Sequence, residues 1–296
     1  MSVNSLLLFQ ILTSASHSHF IGSPLPLTAG RPLPPAQEIR APPRQYTFIV
    51  RIDLRRQPIC VGAMISAMLV LTSAECLVDY WPQEKQNIEV IAGEAMTSPN
   101  SSSSLTIRRR IRRISVYYKY KKGVRAFDAA LLFLGKVENG NQWFKTINVR
   151  RRRVEDGAIC EVLGIGIERE RSKGTYDYAL RITYVYVYDA YWCYSIFHVQ
   201  LYNHQFCSSR PLGYAKEFAF DKGSAVICDG KLVGIDSLYY NRSNYLLPEV
   251  YFSVRFFWQF LLSSVEGKEL QATHVYVDSK CFFLLLILSE NMRILF

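Results

Sequence analysis

The chain has 296 residues, of which 49% are hydrophobic. This length and composition are sufficient for a substantial buried core. We expect one all-β domain, or two closely joined subdomains, with tails at both ends. The formal net charge of +10 favours acidic surfaces such as heparin-like glycans, anionic lipid or nucleic acid, and charge alone does not choose among them.

The N-terminal segment predicts export from the cell. An apolar run at 6–12 is followed by small residues, which is typical of a signal peptide over 1–16, cleaved near Ala15 or Ser16. The run is short and no lysine or arginine precedes it, so retention inside the cell is the alternative. Residues 17–44 are rich in proline and predict an extended linker rather than a folded element.

From Tyr46 onward, short apolar or alternating runs rich in β-forming residues predict successive strands. These runs cover 46–52, 62–71, 88–92, 111–118, 129–134, 160–165, 180–188, 225–227, 232–237 and 250–254. Many short strands at this spacing predict a sandwich or a barrel. Residues 253–265 place four large apolar side chains on one side of a helical wheel and predict a single C-terminal helix.

The C-terminal extension, 268–296, contains an apolar run at 281–288. A helix needs about twenty apolar residues to cross a bilayer, so this run predicts no transmembrane span. A docked strand, a disordered tail and a gene-model extension all remain open for it.

Seven cysteines favour an oxidising compartment. Six of them allow three bridges and leave Cys281 over, and spacing alone permits fifteen connectivities. The sequons at Asn100 and Asn241 are compatible with a glycosylated surface.

A series of motifs then occurs in a fixed order along the chain. They are Cys60 to Ser66 leading to Leu71-Thr72-Ser73-Ala74-Glu75-Cys76, Phe127 to Leu132, Cys160 to Gly166, Gln205 to Cys207, Asp221 to Cys228, and Leu232 to Tyr251. In this order they resemble the motifs of the trypsin- and chymotrypsin-like serine proteases. The resemblance implies two antiparallel six-stranded β-barrels with a C-terminal α-helix over 45–267, and the disulfides Cys60–Cys76, Cys160–Cys228 and Cys193–Cys207.

The same resemblance shows which catalytic groups are replaced. Glu75 stands in the histidine position and Lys222 in the serine position, whereas Asp128 matches the family's aspartate. Acyl transfer in this family needs a hydroxyl nucleophile and an imidazole that takes and returns its proton. We therefore expect no catalytic residue, and a structural ion pair between Lys222 and either Glu75 or Asp128. An altered or residual hydrolase is the less favoured alternative.

The substrate pocket departs from the family pattern as well. Lys216 occupies the position at the pocket floor, and Tyr239 and Glu249 replace glycines, so we expect a filled pocket. Phe220 replaces the glycine beside the oxyanion donors, and the region near residue 31 lacks the family's Ile-Val-Gly-Gly activation sequence.

Two arginine runs predict an anion-binding face if the fold brings them together, with two solvated surface segments as the alternative. They consist of Arg108, Arg109, Arg110, Arg112 and Arg113, and of Arg150, Arg151, Arg152 and Arg153. Sulfated glycan is the ligand considered.

We find no spacing that indicates a metal site, a cofactor loop or a nucleic-acid module. The interpretation is a secreted, catalytically inactive protease homologue that binds extracellular proteins, such as active serine proteases or their substrates, as a regulator, decoy or cofactor. An extracellular glycan-binding protein is the second hypothesis.

Overall fold

In the computed structural model of the protein, the described residues are 39–41, 45–93, 106–124, 126–135, 145–169, 176–209, 222–238 and 248–265. All of them belong to the compact unit 32–296. The signal peptide, most of the proline-rich segment, both sequons and the C-terminal extension that the sequence predicts lie outside these residues.

The first barrel consists of six antiparallel strands. After a two-residue strand β1 (Ile39–Arg40), the barrel strands are β2 (Ile49–Leu54), β3 (Gln57–Ser66), β4 (Leu69–Thr72), β5 (Ile88–Gly93), β6 (Thr106–Val116) and β7 (Ala130–Leu134). They close in the order β2-β3-β4-β7-β6-β5. A short 3-10 helix, Lys85–Asn87, leads into β5.

The second barrel has the same number of strands. They are β8 (Ala158–Arg169), β9 (Tyr176–Tyr188), β10 (Gln205–Ser209), β11 (Ala225–Cys228), β12 (Lys231–Leu238) and β13 (Glu249–Ser253). The sheet runs β1-β9-β10-β13-β12-β11-β8, and the pairing of β8 with β9 closes it, so β1 is an extra strand on β9. The two six-stranded antiparallel barrels predicted from the resemblance are therefore confirmed.

Both faces of the barrel strands are buried where the barrels meet. On β2, Val50 and Ile52 lie in the core of the first barrel, whereas Ile49 joins a larger cluster that also contains Leu163 and Phe252 of the second barrel. This second core removes apolar surface from water on both sides of the cleft between the barrels. Apolar packing that continues from one barrel into the other therefore holds the two walls of the cleft together.

Three disulfides are formed, Cys60–Cys76 within the first barrel and Cys160–Cys228 and Cys193–Cys207 within the second. These are the pairs that the resemblance implies. The first joins β3 to the segment after β4, beside the cleft, and the second joins β8 to β11 across one wall of the second barrel.

Two helices flank the second barrel. Helix α1 (Ala190–Phe197) begins after Asp189, whose carboxylate accepts a hydrogen bond from the Trp192 N–H at 3.0 Å and so caps the first turn. The predicted C-terminal helix is confirmed as α2 (Trp258–Val265), preceded by a 3-10 turn, Val254–Phe257.

Several elements differ from the sequence prediction. The single run predicted at 62–71 forms two strands, β3 and β4, because the chain turns at Ala67 and Met68 and pairs Ser66 with Leu69. Strand β6 begins five residues earlier than predicted and includes the first arginine run. The end of the predicted linker forms β1, and α1 and β10 were not predicted.

Candidate functional site

The candidate site lies in the cleft, where the barrels touch. Glu75 follows β4 and Asp128 precedes β7, so both come from the first barrel, whereas Lys222 precedes β11 of the second. The two barrels are joined here by a backbone hydrogen bond of 2.9 Å from the Val61 N–H to the Lys222 carbonyl. The three positions identified from the motifs are thus brought to one place.

Asp128 is buried, and its carboxylate is fully engaged. Oδ2 accepts a hydrogen bond of 2.6 Å from the Ser73 hydroxyl, and Oδ1 accepts one of 2.8 Å from the Glu75 backbone N–H. Burial raises the pKa of Asp128 to about 6, because the hydrogen bonds from Ser73, Glu75 and Ala74 only partly offset the loss of solvation, and the charge of Glu75 adds to the rise.

Glu75 and Lys222 form an ion pair across the cleft. The Lys222 Nζ lies 2.8 Å from the Glu75 Oε1. The Lys222 side chain is 38% exposed and the Glu75 side chain 30%. An ammonium has three donors and no lone pair, so in this state it cannot attack a carbonyl carbon. Of the two partners expected for Lys222, the structure selects Glu75.

Gly223 lets the second barrel approach the first closely enough to form this pair. Its φ is +88°, and a Cβ at this position would lie 1.9 Å from the Val61 carbonyl oxygen and 2.6 Å from the Thr72 Oγ1. The Thr72 hydroxyl donates to the same Val61 oxygen at 2.7 Å. Only glycine fits both the backbone conformation and the space.

An imidazole lies against Phe127, the residue before Asp128, and is hydrogen-bonded to Phe127. His204 Nε2 accepts a hydrogen bond of 3.0 Å from the Phe127 backbone N–H, and the two rings stack at 4.1 Å. Burial, together with the charge of Lys119, lowers the pKa of His204 to about 4. Its Nε2 lone pair is already used, so this nitrogen is not available as a general base.

Phe127 adopts φ +60°, a conformation that bulky residues rarely take. Its hydrogen bond to His204 and the ring stacking compensate for this strain and fix the backbone directly before Asp128. His204 therefore supports the position of Asp128 through the main chain. The sequence analysis had assigned His204 no role.

Tyr120 places a hydroxyl near the same carboxylates. Its oxygen is buried and has no hydrogen-bond partner among the described residues, and burial together with the charges of Asp128, Glu75 and Asp79 raises the pKa of the phenol. The phenol is therefore neutral and adds no negative charge to the site.

The structure describes only part of the former substrate pocket. Glu249 begins β13 opposite Ser208 and is partly buried. Lys216, Tyr239 and Phe220 lie outside the described residues, so the predicted filling of the pocket stays a prediction. Among the residues that are described, no group of three or more His, Cys, Asp or Glu side chains is arranged to hold a metal ion.

The two arginine runs lie on different barrels. On β6, Arg109 is buried and donates to the carbonyls of Ala67 and Gly135, whereas the Arg113 guanidinium lies 3.8 Å from the centroid of the Phe133 ring. Arg108 lies 3.7 Å from Glu89. Arg110 and Arg112 are exposed.

The second run precedes β8 and is also partly engaged. Arg150 pairs with Asp229 at 2.6 Å, and the Arg151 guanidinium lies 3.9 Å from the centroid of the Trp258 ring. Arg153 contacts Asp156 and Asp189, whereas Arg152 is exposed. Each run therefore divides into residues that hold the fold together and residues that face solvent.

Ser73 is a site residue that the sequence analysis missed. The signal was visible, because serine stands where the family motif Leu-Thr-Ala-Ala-His-Cys has its first alanine. Its hydroxyl supplies a hydrogen bond to the aspartate, a role that an imidazole has in the protease. The Ser73 hydroxyl thus gives Asp128 a hydrogen bond in place of the one that a histidine would donate.

Comparisons with known proteins agree with the fold. The family model described as Trypsin matches residues 37–261. Among relatives, Seminase of Drosophila melanogaster is 24% identical over 79% of this chain and 85% of its own length, and Trypsin-3 of Salmo salar is 25% identical over 66% and 78%.

A solved structure shares the fold. Neuropsin, a serine protease expressed in the limbic system of mouse brain, superposes with a TM-score of 0.64 at 18% identity, over 77% of this chain and 99% of that one. Within the described residues, no helix has the length and apolar character needed to span a membrane. The chain belongs to the trypsin family.

Proposed function

We propose that this protein is a secreted, non-catalytic member of the trypsin family that acts by binding extracellular proteins. The observation that carries the proposal is the Lys222–Glu75 ion pair of 2.8 Å at the two positions where the family has its nucleophile and its base. The ion pair gives these positions a structural use, and it leaves neither group free for proton transfer.

Two further contacts support the loss of catalysis. The Ser73 hydroxyl donates to Asp128, so this serine is held away from the role of a nucleophile, and the His204 Nε2 is occupied by the Phe127 N–H. In proteases of this kind, losing the serine or the histidine lowers turnover on the order of a millionfold, because the groups act as a unit. Here both are replaced.

The same contacts favour a binding role. The cleft keeps its disulfide, its close-packed barrels and a hydrogen-bonded carboxylate, although no acyl transfer needs them. A close-packed cleft of this kind offers a preformed surface to another protein. We propose active serine proteases, or their protein substrates, as partners, with the protein serving as regulator, decoy or cofactor.

Hydrolysis by the purified, disulfide-bonded protein tests the catalytic part of the proposal. We expect the rate on a panel of peptide and ester substrates to equal that of Lys222→Ala, because any remaining rate comes from the background. A wild-type rate that falls on Lys222→Ala would establish an enzyme and overturn the proposal.

The binding part is tested with active trypsin-like proteases. A partner that docks on the protease or on its protein substrate changes the KM for that protein substrate and leaves the kcat and KM for a small chromogenic peptide unchanged. Across a panel of extracellular proteases, unchanged parameters for both kinds of substrate would count against a role in proteolysis.

A further inference from the structure

A cavity of about 260 Å³ opens on the second barrel, and its lining does not include Glu75, Asp128 or Lys222. Four arginines line it: Arg150, Arg152 and Arg153 from the segment before β8, and Arg255 from the 3-10 turn before α2. Its volume is several times the roughly 30 Å³ that one water molecule takes in the liquid. The cavity therefore has room for a ligand group larger than water.

The two carboxylates in the cavity wall are both engaged, and Arg153 balances one of their two charges. Arg153 bridges Asp156 and Asp189, and these two residues are also tied to the backbone, since Asp156 accepts the Asp189 N–H at 2.7 Å and Asp189 caps α1. One arginine and two carboxylates thus form a fixed local network. This network carries one net negative charge, and the three other guanidinium groups of the lining make the cavity positive.

Three guanidinium groups remain for a ligand. Arg150 pairs with Asp229, whose side chain is 80% exposed, so that contact is weakened by solvent. Arg152 and Arg255 are exposed, and neither has an ion pair or hydrogen bond within the described part of the chain. Four arginines and two aspartates give the cavity lining a net charge of +2, and the guanidinium groups of Arg152 and Arg255 at its rim form a site for an anion with several oxygens.

We propose that this cavity binds a sulfate group of a sulfated glycan, with Arg152 and Arg255 as its principal contacts. The planar guanidinium fork matches the oxygens of a sulfate or phosphate ester. Three disulfides in the same chain are typical of an oxidising compartment outside the cell, where sulfated glycans are the abundant polyanions. The assignment does not rest on the proposed loss of catalysis.

A heparin oligosaccharide of defined length is the probe, titrated into the full-length protein at 150 mM NaCl. The double variant Arg152→Ala/Arg255→Ala is expected to weaken binding at least about tenfold, because charge-assisted guanidinium bonds are among the strongest polar contacts. The matched control is Arg110→Ala/Arg112→Ala, which removes the same charge from exposed positions on the first barrel and should change the affinity less than about twofold if specific contacts dominate.

Two further arms separate the site from general attraction to charge. Arg152→Lys/Arg255→Lys keeps the charge but loses the fork, and is expected to weaken binding in the same direction as the alanine variant. Desulfated heparin should not bind. Equal losses in the two alanine double variants, or no heparin binding at this salt concentration, would overturn the proposal, and equally tight arginine-dependent binding to phosphatidylserine vesicles would reassign the site to lipid phosphate.

Discussion

At the scale of single residues, the carboxylates of the cleft keep their hydrogen bonds although the side chains around them have changed. Ser73 and the backbone N–H of Glu75 satisfy Asp128, and Lys222 satisfies Glu75. A buried acceptor left without a donor costs about 1–3 kcal/mol. The replacements at positions 73, 75 and 222 therefore form a consistent set, and each depends on the others.

The ion pair predicts a measurable coupling between its two partners. Both side chains are about one third exposed, so solvent screens the attraction and the coupling energy should be about 0.5–1 kcal/mol or less. A double-mutant cycle with Glu75→Gln and Lys222→Met, read from urea unfolding, measures it, and 1 M NaCl should reduce it. Zero coupling at low salt would mean that the two side chains are not paired in solution.

Asp128 and His204 predict opposite effects of pH on stability. The pKa of His204 falls from 6.5 to about 4 on folding, so its contribution to stability is lost as the pH drops from 6.5 to 4. The pKa of Asp128 rises from 3.8 to about 6, so its contribution is lost as the pH rises from 4 to 6. In the wild-type protein the two slopes largely cancel.

Single variants should uncover each slope. His204→Gln keeps an acceptor for the Phe127 N–H. On going from pH 6.5 to pH 4, the change in its unfolding free energy should be more favourable than that of wild type by about 3 kcal/mol. Asp128→Asn should lose a similar amount over the same interval, because only the histidine slope remains. Urea unfolding at both pH values measures the two differences, and shifts of the same sign in both variants would be inconsistent with the assigned environments.

At the scale of elements, most strands follow from alternating apolar residues, and the exceptions have local causes. Strand β6 begins at Thr106 and includes an arginine run. The strand tolerates this run because the Arg109 guanidinium donates hydrogen bonds to the carbonyls of Ala67 and Gly135 in place of water. Helix α1 consists mainly of residues that favour strands, and its start depends on the Asp189 cap. Such contacts cannot be predicted from the pattern of hydrophobic residues in the sequence.

Gly223 predicts how tightly the two barrels are fitted at the cleft. Gly223→Ala should lower the unfolding free energy by at least about 3 kcal/mol, because the added Cβ collides with the Val61 carbonyl and Thr72. Gly230→Ala is the matched control. The φ of Gly230 is +68°, and no atom of the described residues lies within 4 Å of an added Cβ, so backbone strain should lower the unfolding free energy by only about 1–2 kcal/mol. Equal losses in chemical denaturation would show that the barrels yield at this contact.

At the scale of the whole molecule, the sequence predicted the two barrels, the final helix and the place where Glu75, Asp128 and Lys222 meet. It did so because short motifs with fixed order locate the elements that carry them. It did not predict the roles of Ser73, His204 and the cavity at Arg152 and Arg255, since these depend on contacts between segments distant in sequence. Their chemistry appears only once the barrels are closed.

Covalent labelling tests the proposed absence of catalysis most directly. Serine-directed fluorophosphonates and activated acyl esters, incubated with the folded protein and followed by intact-mass spectrometry, would reveal an activated nucleophile at any position. If catalysis is absent, no adduct forms above the level of a Lys222→Ala control that has the same fold. A stoichiometric adduct on a cleft residue, lost when the protein is unfolded, would contradict this absence.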